Sequence, residues 1–190
     1  IVHKAERKLD AFRDIIERRY QTKGNLKYTL VYVPEGNMPD YIGNNDDFDR
    51  SEDIGDDNDA EHLINQYTQV VTEVDDHVTV RKFVSGQKDR EEILSDFADG
   101  RLQVLTSMKC LDEGVDVPRS ELAIFCSSTG NPRQFIQRRG RVLRTHPDKK
   151  MAELHDLVIV PELNPNSNSF RMEQSLLRGE LMRVNNFALL

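Results

Sequence analysis

The sequence predicts an α/β domain in which a parallel β-sheet is covered by helices on both faces. Short segments that are apolar throughout and rich in β-branched and aromatic residues alternate with longer segments of helical periodicity. A strand that is apolar at every position has both faces buried, and helices on either side of a parallel sheet bury them. The 190 residues are enough for one such domain and too few for two large ones.

Five strands are expected from the apolar segments, at Tyr28–Val33, Val78–Val84, Leu102–Thr106, Leu122–Cys126 and Asp156–Val160. Proline follows the first and the last of these segments, at Pro34 and Pro161. Because proline has no N–H to donate to a sheet, each of these residues is predicted to end its strand.

Helices are predicted at 3–20, 59–75 and 88–98, from Asn131-Pro132 onward, and at 169–187. Asn131 is a favourable N-cap, and Pro132 suits the first helical turn, where its missing N–H leaves no bond unmade. We expect residues 1–165 to form the domain and residues 166–190 to form a helix that leads to a further region. The start at Ile1, with neither an initiator methionine nor a signal peptide, indicates a fragment of a longer protein.

The net charge of −7 is unevenly distributed along the chain. Residues 35–76 hold fourteen acidic residues and one basic residue, whereas the remainder carries a net charge of +6. Total charge informs solubility rather than the character of a local surface, so the acidic balance does not exclude a nucleic-acid partner. The Gly-, Asn- and Asp-rich stretch at 35–58 is predicted to be an acidic loop insertion that lies away from any phosphate path.

Two classes of protein are disfavoured by composition. No apolar run approaches the ~20 residues that a membrane-spanning helix needs, so no membrane association is expected. Cys110 and Cys126 form no CxxC pair, and the five histidines show no ligand spacing. We therefore expect no metal site and a reduced, cytoplasmic protein.

The segment Gln137–Arg144 carries four arginines. On the helix that begins at Pro132, positions 134, 137, 138 and 141 share one face, so glutamine and arginine side chains are predicted to project together. Arginine is always charged and forms bidentate contacts with phosphate oxygens. A ligand anion is one explanation of this face; a solvated basic helix end is the other.

The segment Thr106–Pro118 directly follows a predicted strand. In an open α/β sheet, ligands bind at the carboxyl ends of the strands. A hydroxyl pair ends the strand, and Glu113-Gly114-Val115-Asp116 places two carboxylates around a glycine that allows close backbone approach. An ordinary strand-to-loop turn with capping acids is the alternative.

Together these two segments resemble superfamily 2 helicases. Thr106–Pro118 resembles motif V, and Gln137–Arg144 resembles motif VI. Tyr28–Val33 is similar to the motif IV strand, and Val84–Gly86 is similar to the segment between motifs IV and V. The resemblance implies the second RecA-like motor domain of a helicase or translocase. Within the superfamily it leans toward the DNA-directed branch, which includes type III restriction (Res) subunits and Rad25-like repair helicases.

The resemblance implies a role for each arginine that matches motif VI. Arg141 and Arg144 match the arginine fingers that stabilise charge on the transferring γ-phosphate of ATP. Arg138 and Gln137 match supporting contacts at the same phosphate site.

The other matching positions are implied to bind nucleotide or nucleic acid. Gly114 and Asp116 match positions that touch the nucleotide ribose. Thr106, and more weakly Ser85 and Gly86, match contacts to the nucleic-acid backbone, which position a strand without reading its sequence.

The resemblance also implies partners. The chain has no G-x-x-x-x-G-K-[ST] segment, so ATP with Mg²⁺ is expected to be held mainly by an upstream RecA-like domain of the same chain, and the fragment alone is expected to be inactive. DNA is the expected track, with RNA as an alternative, and restriction or repair subunits are expected partners. A helicase-like module that binds nucleic acid or protein without turnover is the rival interpretation.

Overall fold

The computed structural model describes residues 6–34, 57–108, 117, 119–126 and 132–188. The predicted acidic insertion lies outside these residues except for its last two, which begin a helix. Among the described helices, none is long and apolar enough to cross a membrane.

Five strands form one all-parallel sheet, as predicted. They are β1 (Thr29–Tyr32), β2 (Val80–Phe83), β3 (Val104–Ser107), β4 (Leu122–Phe125) and β5 (Glu153–Asp156). Their order across the sheet is β2-β3-β1-β4-β5. Strands β1, β3 and β4 are therefore internal, and every residue in them is buried.

The described residues contain five helices, which alternate with the strands except between β3 and β4. They are α1 (Glu6–Lys23), α2 (Asp57–Thr72), α3 (Arg90–Ala98), α4 (Pro132–Val142) and α5 (Phe170–Ala188). Gly24 follows α1 with a φ of +69°, a left-handed conformation that glycine adopts without strain and that commonly ends a helix.

The expected position of the last strand is wrong. Strand β5 spans Glu153–Asp156, and residues 157–160 are not part of the sheet. The ladder with β4 decides the boundary, since Asp156 is paired with Phe125, where β4 ends. Because β5 is an edge strand, it needs only one apolar face. A search for apolar runs therefore selects the residues after β5 rather than its own polar sequence.

Each face of the sheet packs against its own helices. The face covered by α1 and α2 includes Phe12, Ile16, Val31, Ile64 and Tyr67. The opposite face includes Tyr32, Phe83, Phe97, Phe125 and Val142, and α3 and α4 cover it. The alternation of side chains along β1, with Val31 on one face and Tyr32 on the other, follows from the two-residue period of a strand.

A cluster of four buried charges joins α5 to the sheet. We call Lys8, Asp156, Glu180 and Arg183 the buried charge cluster. Arg183 forms ion pairs with Asp156 and, at 2.6 Å, with Glu180. Lys8 Nζ donates to the Cys126 carbonyl at 2.8 Å. Since two cations face two carboxylates, the cluster has no net charge, which is the condition under which ions are tolerated in a protein interior.

Candidate nucleic-acid and nucleotide interface

Helix α4 packs on one face of the sheet through two of its side chains. Val142 is fully buried in the apolar cluster on that face. One turn earlier, Arg138 is 2% exposed, and its guanidinium lies 5.5 Å from the centre of the Tyr32 ring. Positions 138 and 142 are four residues apart, so they share one side of the helix. Arg138 and Val142 therefore define the side of α4 that meets the sheet.

Tyr32 is itself held by a stacked neighbour. Its ring lies 4.9 Å from that of Phe125, and the two planes differ by 8°. Tyr32 ends β1 and Phe125 ends β4, and the two residues are direct partners in the ladder. A rigid aromatic platform therefore stands at the carboxyl ends of two adjacent strands, and a cation above it gains from the ring quadrupole.

The predicted common face of α4 is divided in the structure. Gln137 is exposed, whereas Arg138 is buried against the platform. Arg141 is half-buried and Arg144 is exposed. Successive helical residues are about 100° apart, so a helix that turns position 138 toward the sheet turns position 137 away from it. The side chain of Gln134, predicted to lie on the same face, is outside the described residues.

Two neighbouring residues of this segment differ in burial. Leu143 is 50% exposed, because α4 ends at Val142 and Leu143 lies beyond its packed side. Arg139 is 8% exposed, so it belongs to the buried part of the helix.

Lys149 stabilises the end of the arginine helix. Its Nζ donates to the Val142 carbonyl at 2.8 Å, which satisfies a carbonyl in the last turn and places a cation at the negative end of the helix dipole. Burial lowers the pKa of Lys149. The contact fixes the position of the backbone immediately before Arg144.

Ser85 and Gly86 lie in an exposed turn that follows β2 at the same edge of the sheet. Gly86 has a φ of +80°, and a Cβ at this position would meet no atom within 4 Å. Backbone conformation, rather than lack of space, is therefore what favours glycine there. The turn follows β2 and α4 follows β4, and strands β3 and β1 lie between these two strands in the sheet.

Thr106 is not presented at the surface. It lies in β3 with an exposure of 0%, and its hydroxyl shares a 2.9 Å hydrogen bond with the hydroxyl of Thr68 on α2. A direct contact between Thr106 and a phosphate requires this bond to open. The predicted nucleotide-binding residues Gly114 and Asp116 lie outside the described residues.

Comparison with known proteins identifies a conserved domain in this region. Residues 59–146 match the family described as the helicase conserved C-terminal domain. The matched segment begins in α2 and continues past α4, so it contains both the turn after β2 and the arginine helix.

Curated relatives resemble shorter parts of the chain. The DNA 3'-5' translocase XPB2 of Sulfurisphaera tokodaii is 45% identical over 67 residues, which are 35% of this chain and 15% of that protein. The putative DNA 3'-5' helicase Rad25 of Haloarcula marismortui is 38% identical over 76 residues, which are 38% of this chain and 12% of that protein. The chain therefore matches less than a sixth of the length of either relative.

Solved structures share the fold over almost the whole chain. T4 UvsW superposes with a TM-score of 0.62 at 13% identity, covering 98% of this chain and 33% of that one. The C-terminal part of the Fun30 ATPase domain gives 0.59 at 13% identity, covering 91% and 44%. The chain has the RecA-like α/β fold, and residues 59–146 within it match the helicase conserved C-terminal domain.

Proposed function

We propose that this chain is the second motor domain of an ATP-dependent DNA helicase or translocase. In this role it supplies arginine fingers to ATP held by an upstream RecA-like domain and contacts the backbone of the nucleic acid. The DNA track is taken from two relatives, at 45% and 38% identity, which are named as a DNA translocase and a DNA helicase.

One observation carries the proposal: an arginine-rich helix is anchored at the carboxyl end of β1 by Arg138, which lies over the Tyr32 ring. Arg138 and Val142 anchor the helix on the strands, and the following turn directs Arg141 and Arg144 toward the surface. The helix itself contains four arginines and no acidic residue. Arginine-rich segments of this kind suit a phosphate ligand.

The arginines fit one side of a nucleotide site. Guanidinium groups make bidentate contacts with phosphate oxygens, and Mg²⁺ and ATP bound to the partner domain would supply the scissile phosphate and its metal. In this arrangement Arg141 and Arg144 stabilise negative charge on the γ-phosphate, and Gln137 and Arg138 support them. Gly114 and Asp116 are proposed to contact the nucleotide, as their motif implies.

Motion along the track follows from closure between two domains. When this domain closes on the nucleotide, the turn at Ser85 and Gly86 moves with α4, because both are attached to the same sheet. Grip on the nucleic acid is thereby coupled to the state of the ATP site, as in other enzymes whose sites assemble on closure. Thr106 joins the grip only if its bond to Thr68 opens.

The decisive experiment is ATP hydrolysis by the full chain that contains this domain, with and without duplex DNA. Replacing Arg141 with alanine is expected to lower DNA-stimulated turnover by ~10³-fold or more while nucleotide binding persists. Arg178→Ala is the matched control, since Arg178 is exposed on α5. Turnover that is unaffected by Arg141→Ala would refute the finger assignment.

A binding module without turnover is the rival function. A wild-type chain that binds duplex DNA but hydrolyses no ATP would establish it. The proposal also predicts negligible hydrolysis by residues 1–190 alone, so robust turnover by this fragment would contradict the partner-domain mechanism.

RNA is the second candidate track. Dicer homologue 2b of Oryza sativa, named as an endoribonuclease, is 26% identical over 102 residues, or 54% of this chain and 7% of that protein. Stimulation of hydrolysis by duplex RNA but not by duplex DNA would replace the DNA assignment and leave the motor mechanism intact.

A further inference from the structure

The turn after β2 is clamped by one side chain. Gln87 Oε1 accepts a hydrogen bond from the Val84 N–H at 3.0 Å. Gln87 Nε2 donates to the Lys82 carbonyl at 3.1 Å. A single carboxamide therefore joins both ends of the segment that contains Ser85 and Gly86.

The clamp lies at the edge of the described sheet. Among the described residues, β2 pairs with β3 alone, so no described strand binds the backbone groups on its outer side. A carboxamide offers one donor and one acceptor in a plane, as a peptide group does, so Gln87 can bind Lys82 and Val84 as the next strand would.

The neighbouring elements also hold the base of the turn. Lys82 Nζ donates to Asn65 Oδ1 on α2 at 2.8 Å. Arg90, at the start of α3, lies 4.7 Å from the centre of the Phe83 ring. These contacts hold the strand end and the helix start, and Gln87 spans the gap between them. Ser85 and Gly86 remain exposed.

We infer that Gln87 is a positioning residue for nucleic-acid binding: it holds the Ser85–Gly86 turn in the conformation that meets the backbone of the track. This inference rests on the proposed function, because it assigns the turn to nucleic acid. An ordered turn binds without first losing conformational freedom, so removing the clamp weakens binding even though no contacting atom is removed.

The test uses the full chain with Gln87→Met, which keeps the length of the side chain and removes both hydrogen bonds. The DNA concentration for half-maximal ATPase stimulation is expected to rise by about threefold to tenfold, with turnover at saturating DNA unchanged. Gln21→Met makes the same chemical change at an exposed site on α1 and is expected to behave as wild type.

A double variant tests whether Gln87 acts through the turn. Gly86→Ala strains the turn, since its φ is +80°. If the clamp acts through the turn, Gln87→Met added to Gly86→Ala raises the DNA requirement less than it does in the wild-type background. A purely structural role would instead lower the melting temperature and the saturated turnover together.

The outcomes separate this inference from the function on which it rests. Wild-type DNA affinity in Gln87→Met, in a chain whose turnover DNA stimulates, overturns the inference and leaves the proposed function standing. Additive effects in the double variant also overturn it. A wild-type chain whose turnover neither DNA nor RNA stimulates refutes the proposed function, and the role of Gln87 falls with it.

Discussion

Helices α4 and α5 each place a buried arginine near the carboxyl ends of the strands, but different groups oppose the two cations. Arg183 on α5 faces two carboxylates, Asp156 and Glu180. Arg138 on α4 lies over the ring of Tyr32. A carboxylate cancels the charge of its partner, whereas an aromatic face attracts a cation and leaves its charge in place.

The two carboxylates give Arg183 a structural role. The buried charge cluster is neutral as a group, and it fastens α5 and the chain after β5. Glu180 Oε2 also accepts from the Ile159 N–H at 3.1 Å, and Arg183 donates to the Leu157 carbonyl at 3.3 Å. Arg138 instead lies over an aromatic ring on the helix for which we propose phosphate binding.

Removing one member of the buried charge cluster gives the largest expected effect on stability. Arg183→Met leaves two buried carboxylates without their main partner, and we expect a loss of ~3–5 kcal/mol in the free energy of unfolding. Arg178→Met on the exposed side of α5 is the control and should change little. Urea denaturation measures both. A loss of less than about 1 kcal/mol would show that the cluster does not hold α5 in place.

Removing a cation and a carboxylate together sharpens the comparison. Glu180→Leu combined with Arg183→Met leaves Lys8 with Asp156, so the cluster is again neutral. Replacing a buried ion pair with apolar residues is often close to neutral in stability, so the double variant is expected to recover much of the loss. A double variant that is less stable than Arg183→Met alone would mean that the hydrogen bond to Ile159, rather than charge balance, dominates.

A smaller effect is expected at the aromatic platform. Tyr32→Leu removes both the stack with Phe125 and the ring beside Arg138, and we expect a loss of ~1–3 kcal/mol in unfolding free energy. In the full chain it should also lower DNA-stimulated hydrolysis, because α4 loses its support. Tyr32→Phe keeps the ring and should retain most of the activity. Equal losses of hydrolysis in the two variants would assign the effect to the hydroxyl instead.

The parallel sheet could be predicted from the sequence because its central strands are buried on both faces, and such strands are apolar at nearly every position. It failed at β5, where an edge strand with polar residues carries no such pattern. It also identified the arginine helix but not which side of it meets the sheet. That choice depends on Val142 and on the platform that Tyr32 forms with Phe125, and the pairing of β1 with β4 cannot be read from either strand alone.

The buried charge cluster shows the same limit. Lys8, Asp156 and Arg183 are far apart in the chain, and each is typical of an exposed residue when taken alone. Only the fold brings them together. Long-range contacts between polar residues leave no periodic signal, whereas apolar residues at helical spacing do.

The smallest effect on the free energy of unfolding is expected at an exposed ion pair between α1 and the residue that follows α2. Arg13 Nη2 donates to Glu73 Oε2 at 2.8 Å. Hydrogen bonds from Arg13 and Gln69 hold the pKa of Glu73 below its ordinary value of 4.5. A lowered folded pKa stabilises the protein above pH 4.5, and the contribution is lost as pH falls through the folded value. The difference in unfolding free energy between wild type and Glu73→Gln should therefore be small, greatest near neutral pH and vanishing in acid. A difference in unfolding free energy that grows as pH falls would contradict this prediction. It would show that the Arg13–Glu73 ion pair is not the cause of the difference.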